Sequence, residues 1–82
     1  MPRYFFDIHD GTFQLDEHGV ECADFDAVRR EAKRALPEIA RELLPQDGDH
    51  HTLTCCVRDE HNETVYTGTL MFNGLSSQSA HK

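Results

Sequence analysis

Polar and apolar residues alternate from the start of the chain. Tyr4, Phe6 and Ile8 fall on one face of an extended segment, and Phe5, Asp7 and His9 fall on the other. This pattern predicts a strand over residues 3–9, ended by the turn dipeptide Asp10-Gly11. Residues 12–15 alternate again and read as a short strand folding back on the first, after which Asp16-Glu17-His18-Gly19 turns the chain away. The period then changes. Phe25, Val28, Ala32, Ala35, Leu36, Ile39 and Leu43 recur at steps of three and four, which predicts an amphipathic helix over residues 24–44. Asp24 is placed to cap its first turn, and Asp26 complements the helix dipole there. Pro37 removes one backbone donor, but the apolar stripe keeps its phase across it, so a single kinked helix is expected, ending at Pro45.

Beyond a turn-rich connection over residues 46–50, the period returns to two. Leu53, Cys55 and Val57 alternate with Thr52, Thr54, Cys56 and Arg58, predicting a strand over 52–58. Asp59-Glu60-His61-Asn62 supplies a hairpin turn, and residues 64–72 form the returning strand. Within that strand Val65 and the Leu70/Phe72 pair have opposite parity, so a register break is required, and Gly68 is the candidate site for it. From residue 73 to 82, Gly, Ser, Gln and His dominate, and a disordered polar tail is expected after a single domain over 1–72. The order strand, strand, helix, strand, strand specifies an α+β fold: a ββαββ antiparallel sheet with the helix packed across one face. The expected core is Tyr4, Phe6, Ile8, Phe25, Val28, Ala32, Leu36, Ile39, Leu43, Leu53, Cys55, Val57, Leu70 and Phe72.

Several residues in these elements match those of a known family: Met1, Pro2, Tyr4, Phe5, Phe6, Asp10 and Gly11 at the start, Asp24, Asp26 and Ala27 at the helix entrance, and Val57, Asp59 and Glu60 at the last hairpin. On these residues the chain resembles a family of small bacterial, rhizobial-type domains that carry only a domain-of-unknown-function label. The resemblance spans residues 1–72 and implies the same fold and compartment. It brings no catalytic residues. A glycine usual in the last turn of such domains is Asn62 here, a residue that also tolerates a left-handed conformation.

Composition narrows the chemistry. Three cysteines, Cys22, Cys55 and Cys56, form no disulfide framework, which suits a reducing cytoplasm. The apolar stretch at the N-terminus is broken at Asp7, far short of a signal core or a spanning helix, so no membrane association is expected. His50, His51, Cys55, Cys56 and His61 are chemically suited to a metal, but their spacing is wrong. His51 and Cys55 on one strand would hold their tips roughly 13 Å apart. Cys22 precedes the helix N-terminus, where a thiolate is stabilised, yet no glycine-rich elbow, phosphate loop or dinucleotide fingerprint accompanies it. No cofactor and no enzymatic activity are expected.

Two surfaces remain. A one-layer sheet leaves its second face polar, so Phe5 on that face marks a contact surface, joined by Tyr66 if Val65 turns inward and set among Thr54 and Thr67. This predicts a protein-interaction module that self-associates as a homodimer, with a further unidentified protein partner also compatible. The alternative is a nucleic-acid-binding or antitoxin-like regulator using the helix stripe of Arg30, Lys33, Arg34 and Arg41. Against it stand the net charge of -7 and the interleaved Glu31, Glu38 and Glu42, which make a solvated, ion-paired face the ordinary outcome.

Overall fold

The computed structural model describes residues 1–46 and 48–77. Its elements are β1 (Arg3–His9), β2 (Phe13–Gln14), β3 (Val20–Glu21), α1 (Phe25–Leu43), a single 3-10 turn (Leu44–Gln46), β4 (His50–Arg58) and β5 (Thr64–Asn73). All pairings are antiparallel, in the order β2-β1-β4-β5, with β3 also paired to β1. The expected α+β architecture is present, with one strand more than the periodicity predicts. The additional strand is Val20–Glu21, which pairs with Arg3 and Tyr4, and Cys22 extends the contact by donating its N–H to the Pro2 carbonyl at 3.0 Å.

The helix forms where its caps and stripe place it. Asp24 has extended dihedrals, φ -154 and ψ -179, and its side chain accepts from the Ala27 N–H at 2.9 Å. Val28, Ala32, Leu36 and Ala40, four residues apart, make the buried face, and the helix runs without a break through Pro37. They pack on Phe6, Leu53, Cys55 and Val57, and Cys22 completes the buried core. Full burial of side chains such as Val28, Leu53 and Val57 contributes roughly 1.5–3 kcal/mol each.

Register explains where the core differs from expectation. Pairing is continuous from His50 opposite Asn73 to Val57 opposite Tyr66, and then shifts so that Arg58 faces Thr64. The extra residue is Val65, so the break falls there and not at Gly68. It puts Tyr66, Gly68, Leu70 and Phe72 on the helix side and Thr67, Thr69 and Met71 on the far side. The helix covers β5 incompletely, leaving Leu70 37% and Phe72 45% exposed. Phe25, at the first turn of α1, is exposed as well and meets Tyr66 edge to face at 5.7 Å. Cys22 and Ala40 take places in the core that the periodicity had not assigned to them.

The connecting turn behaves as its residues dictate. Asn62 adopts φ 70, and Asp59 accepts from the N–H groups of His61 and Glu63 at 2.9 and 3.0 Å. These donors, that of Glu63 first, hold the Asp59 carboxyl below its ordinary value. At the other end of β5, Asn73 still belongs to the strand, and Gly74 donates to the Asp49 carbonyl at 2.6 Å. Of the polar tail expected over 73–82, residues 78–82 lie outside the described residues, as does Asp47 of the connecting loop.

Candidate functional site

The sheet has two edges of different construction. Along β1 the outer edge is covered at both ends, by β3 opposite Arg3 and Tyr4 and by β2 opposite Ile8 and His9. Between them a side chain takes the place of a strand. Asp16 accepts the Phe6 N–H at 3.0 Å through Oδ2 and the N–H groups of His18 and Gly19 at 3.0 and 3.1 Å through Oδ1. Its own N–H donates to Asp7 Oδ1 at 2.8 Å. Burial alone would raise the Asp16 carboxyl, but the N–H groups of Phe6, Gly19 and His18 outweigh it and hold the group below its ordinary value.

Asp7 is 2% exposed although its parity directs it away from the helix. Its charge is balanced from β4. Arg58 donates Nε to Asp7 Oδ2 at 2.6 Å and Nη2 to Asp7 Oδ1 at 3.0 Å, a bidentate ion pair. The same guanidinium reaches the Asp16 carbonyl at 3.0 Å and Asn62 Oδ1 at 2.7 Å. The Asp7 hydrogen bonds push the Arg58 pKa up further. Arg58 therefore ties together the two similar turns, 16–19 and 59–62. Arg3 fastens the first of them by donating to the His18 and Gly19 carbonyls at 2.7 and 3.3 Å. At Gly19, φ is +75, and an added Cβ would lie 2.9 Å from both the Tyr4 carbonyl oxygen and the Phe5 ring.

Among the described residues, the β5 edge has no such cover. The strand ends the sheet order, and Thr-Val-Tyr-Thr-Gly-Thr-Leu-Met-Phe-Asn is ten residues long without a charge, in a chain that is 28% charged. Beside it, between strand and helix, lies an open groove of about 340 Å³ lined by Ala32, Lys33, Leu36, Pro37, Tyr66, Gly68, Thr69 and Leu70. Gly68 leaves this groove open on the strand side, where an added Cβ would reach Leu36 at 3.6 Å. Val65, Leu70, Met71 and Phe72, all on this strand, are among the exposed large apolar residues. A broader concavity of about 500 Å³ lies beside Ala35, Glu38 and Ile39, near Asp10 and Gln14.

The surface residues expected from sequence do not form one patch. Phe5, Thr54 and Thr67 share the far face, but Tyr66 is on the helix side, because the Val65 bulge sets its parity. Phe5 is half-buried, with the Arg58 guanidinium 4.9 Å above its ring centroid and Gly19 against its edge. Its cover comes from this chain. On α1, Arg30, Lys33, Arg34 and Arg41 are all exposed, but Arg34 bonds both Glu31 and Glu38, which raise its pKa, Glu31 foremost.

The metal-type residues are likewise divided. His51 and Cys55 face the helix, and His50 and Cys56 face away, with His50 Nδ1 3.0 Å from Asn73 Oδ1. His61 is exposed in the hairpin turn. Among the described residues, no three His, Cys, Asp or Glu side chains come together in a group able to hold a metal ion. Burial pushes the Cys55 thiol up to about 11, and burial, reinforced by Glu31 and Asp24, raises that of Cys22. The Asp7–Arg58–Asp16 cluster was not anticipated. Its one sequence signal is that Asp7 and Arg58 have the same outward parity on strands able to pair.

These features define a small two-layer α+β domain with one closed and one open sheet edge, and no helix among the described residues is long and apolar enough to cross a membrane. The chain belongs to a family described as a domain of unknown function (DUF6894), whose model matches residues 3–71. No curated protein and no solved structure matches it.

Proposed function

We propose that this domain is a non-enzymatic protein-interaction module of the bacterial cytoplasm that self-associates as a homodimer by pairing the open edge of β5 with its counterpart. The observation that carries the reading is the uncharged ten-residue edge strand. Soluble proteins normally protect such an edge with lysine, proline or a covering segment, because its free N–H and C=O groups are a template for another strand. Among the described residues, that protection is applied to β1 and omitted from β5. The net charge of -7 adds direction, since two copies repel over most of their surfaces and least along a neutral strand.

Other features support the same reading. Burial keeps Cys22 and Cys55 as thiols, which removes them as nucleophiles, and three free cysteines suit a reducing compartment. The helix stripe offers phosphate little, because its central cation, Arg34, is already held by two carboxylates. Light scattering at high micromolar concentration is the test. A mass twice the 9.4 kDa of one chain is expected, and a monomer mass overturns the proposal.

A further inference from the structure

We infer that the two copies meet in one register, antiparallel about a two-fold axis at Thr69. This rests on the β5 pairing proposed above and specifies its geometry. Directly opposed residues of an antiparallel pair point to the same side of the sheet, and a two-fold axis normal to the sheet maps β5 onto itself reversed. Helix-side residues therefore face helix-side residues. The strand's own sequence then selects among the possible centres.

With the axis at Thr69, Leu70 of each copy lies opposite Gly68 of the other, and Tyr66 lies opposite Phe72. The large side chain meets the position without one, where the groove between α1 and β5 opens over Leu36. Leu70 and Phe72, left 37% and 45% exposed in the single chain, gain cover together, and the aromatic pair forms a favourable cross-strand contact. On the far face Thr67 meets Met71. Thr69 is also close to the middle of the regular stretch between the Val65 bulge and the strand end at Asn73.

Neighbouring centres fit less well. An axis at Gly68 sets glycine against glycine and leaves the groove over Leu36 unfilled. An axis at Leu70 opposes two leucines and brings Tyr66 against Gly74, where the chain has already left the strand to bond Asp49.

Cysteine cross-linking of the full chain reads the register directly, using Cys56→Ser to remove the half-exposed native thiol while Cys22 and Cys55 stay buried. Thr69→Cys places two thiols on the axis, within the Cα separation of about 4.4–6.8 Å that a disulfide requires. Mild oxidation is expected to shift this variant from a 9.4 kDa band to one of twice that mass under non-reducing conditions. Thr67→Cys alone and Met71→Cys alone stay monomeric on the gel, because each is then displaced from its own copy by roughly 13 Å. An equimolar mixture of the two cross-links. Cross-linking of Thr67→Cys with Thr69→Cys in place of Thr69→Cys with itself moves the axis to Gly68 and overturns the register while the dimer stands. A dimer mass by light scattering with no cross-link at 67, 69 or 71 likewise overturns the register alone. A monomer mass overturns both.

Discussion

The β1 edge and the β5 edge border the same sheet and face the same solvent, yet one is covered by its own chain and the other, among the described residues, is bare. At β1, two-residue strands cover the ends, and Asp16 takes up the Phe6 N–H between them. At β5, ten residues run without charge and, among the described residues, without cover beside a groove. The difference teaches that an edge can be closed by a carboxylate as well as by a strand, provided a cation on the neighbouring strand fixes the acidic groups in place. It also gives the bare edge meaning, because the same chain demonstrably contains the means of closing one.

The strongest way to break the contrast is to dismantle the closed side. Asp7→Ala removes the buried partner of Arg58 and the acceptor of the Asp16 N–H, and is expected to cost about 3 kcal/mol in urea unfolding. A loss below about 1 kcal/mol would mean that the cluster does not hold the edge. Gly19→Ala acts on the same edge through the backbone. A Cβ at φ +75, against Tyr4 and Phe5, should cost about 2 kcal/mol, seen as a lower thermal midpoint.

On the open side, Leu70→Lys puts a charge into the bare edge at a position already 37% exposed. It is expected to raise the dimer dissociation constant about tenfold, equivalent to about 1.4 kcal/mol, with little change in the unfolding of the single chain. Sedimentation velocity across a dilution series distinguishes the two effects. Equal self-association of wild type and variant would move the interface elsewhere.

The smallest effect is a pH dependence confined to the closed edge. Asp16 has a folded-state pKa below the ordinary 3.8, so its contribution is complete above that value and is lost as the pH falls through the folded-state pKa. The difference in urea midpoint between wild type and Asp16→Asn should therefore stay constant from pH 7 to about 5 and narrow in stronger acid. A gap that widened in acid would contradict the hydrogen bonds assigned to this carboxylate.

Legibility in the sequence followed the range of the interactions. Tyr4, Phe6 and Ile8, the Asp24 cap and the stripe of Val28, Ala32 and Leu36 rest on local sequence pattern, and each lies where that pattern puts it. Tyr66 does not, because its side is decided by a bulge created where Arg58 pairs with Thr64, and alternation within one strand carries no record of its partner. The Asp7–Arg58 contact joins residues 51 apart and becomes visible only once β1 and β4 are in register. The bare edge lies between these cases. Its lack of charge is plain in the letters, while its position at the end of the sheet depends on strand order.

Under the pairing proposed for β5, the Arg58 anchor has a consequence beyond stability. A sheet with two available edges has a valence of two, and identical copies then add at both sides to build a filament of indefinite length. With the 13–21 arm locked down, the valence is one, and growth stops at a pair. A single guanidinium reaching across to Asp7 and Asp16 thus stands between a finite assembly and a polymer, and loss of its grip is expected to appear as turbidity as well as a lower melting temperature.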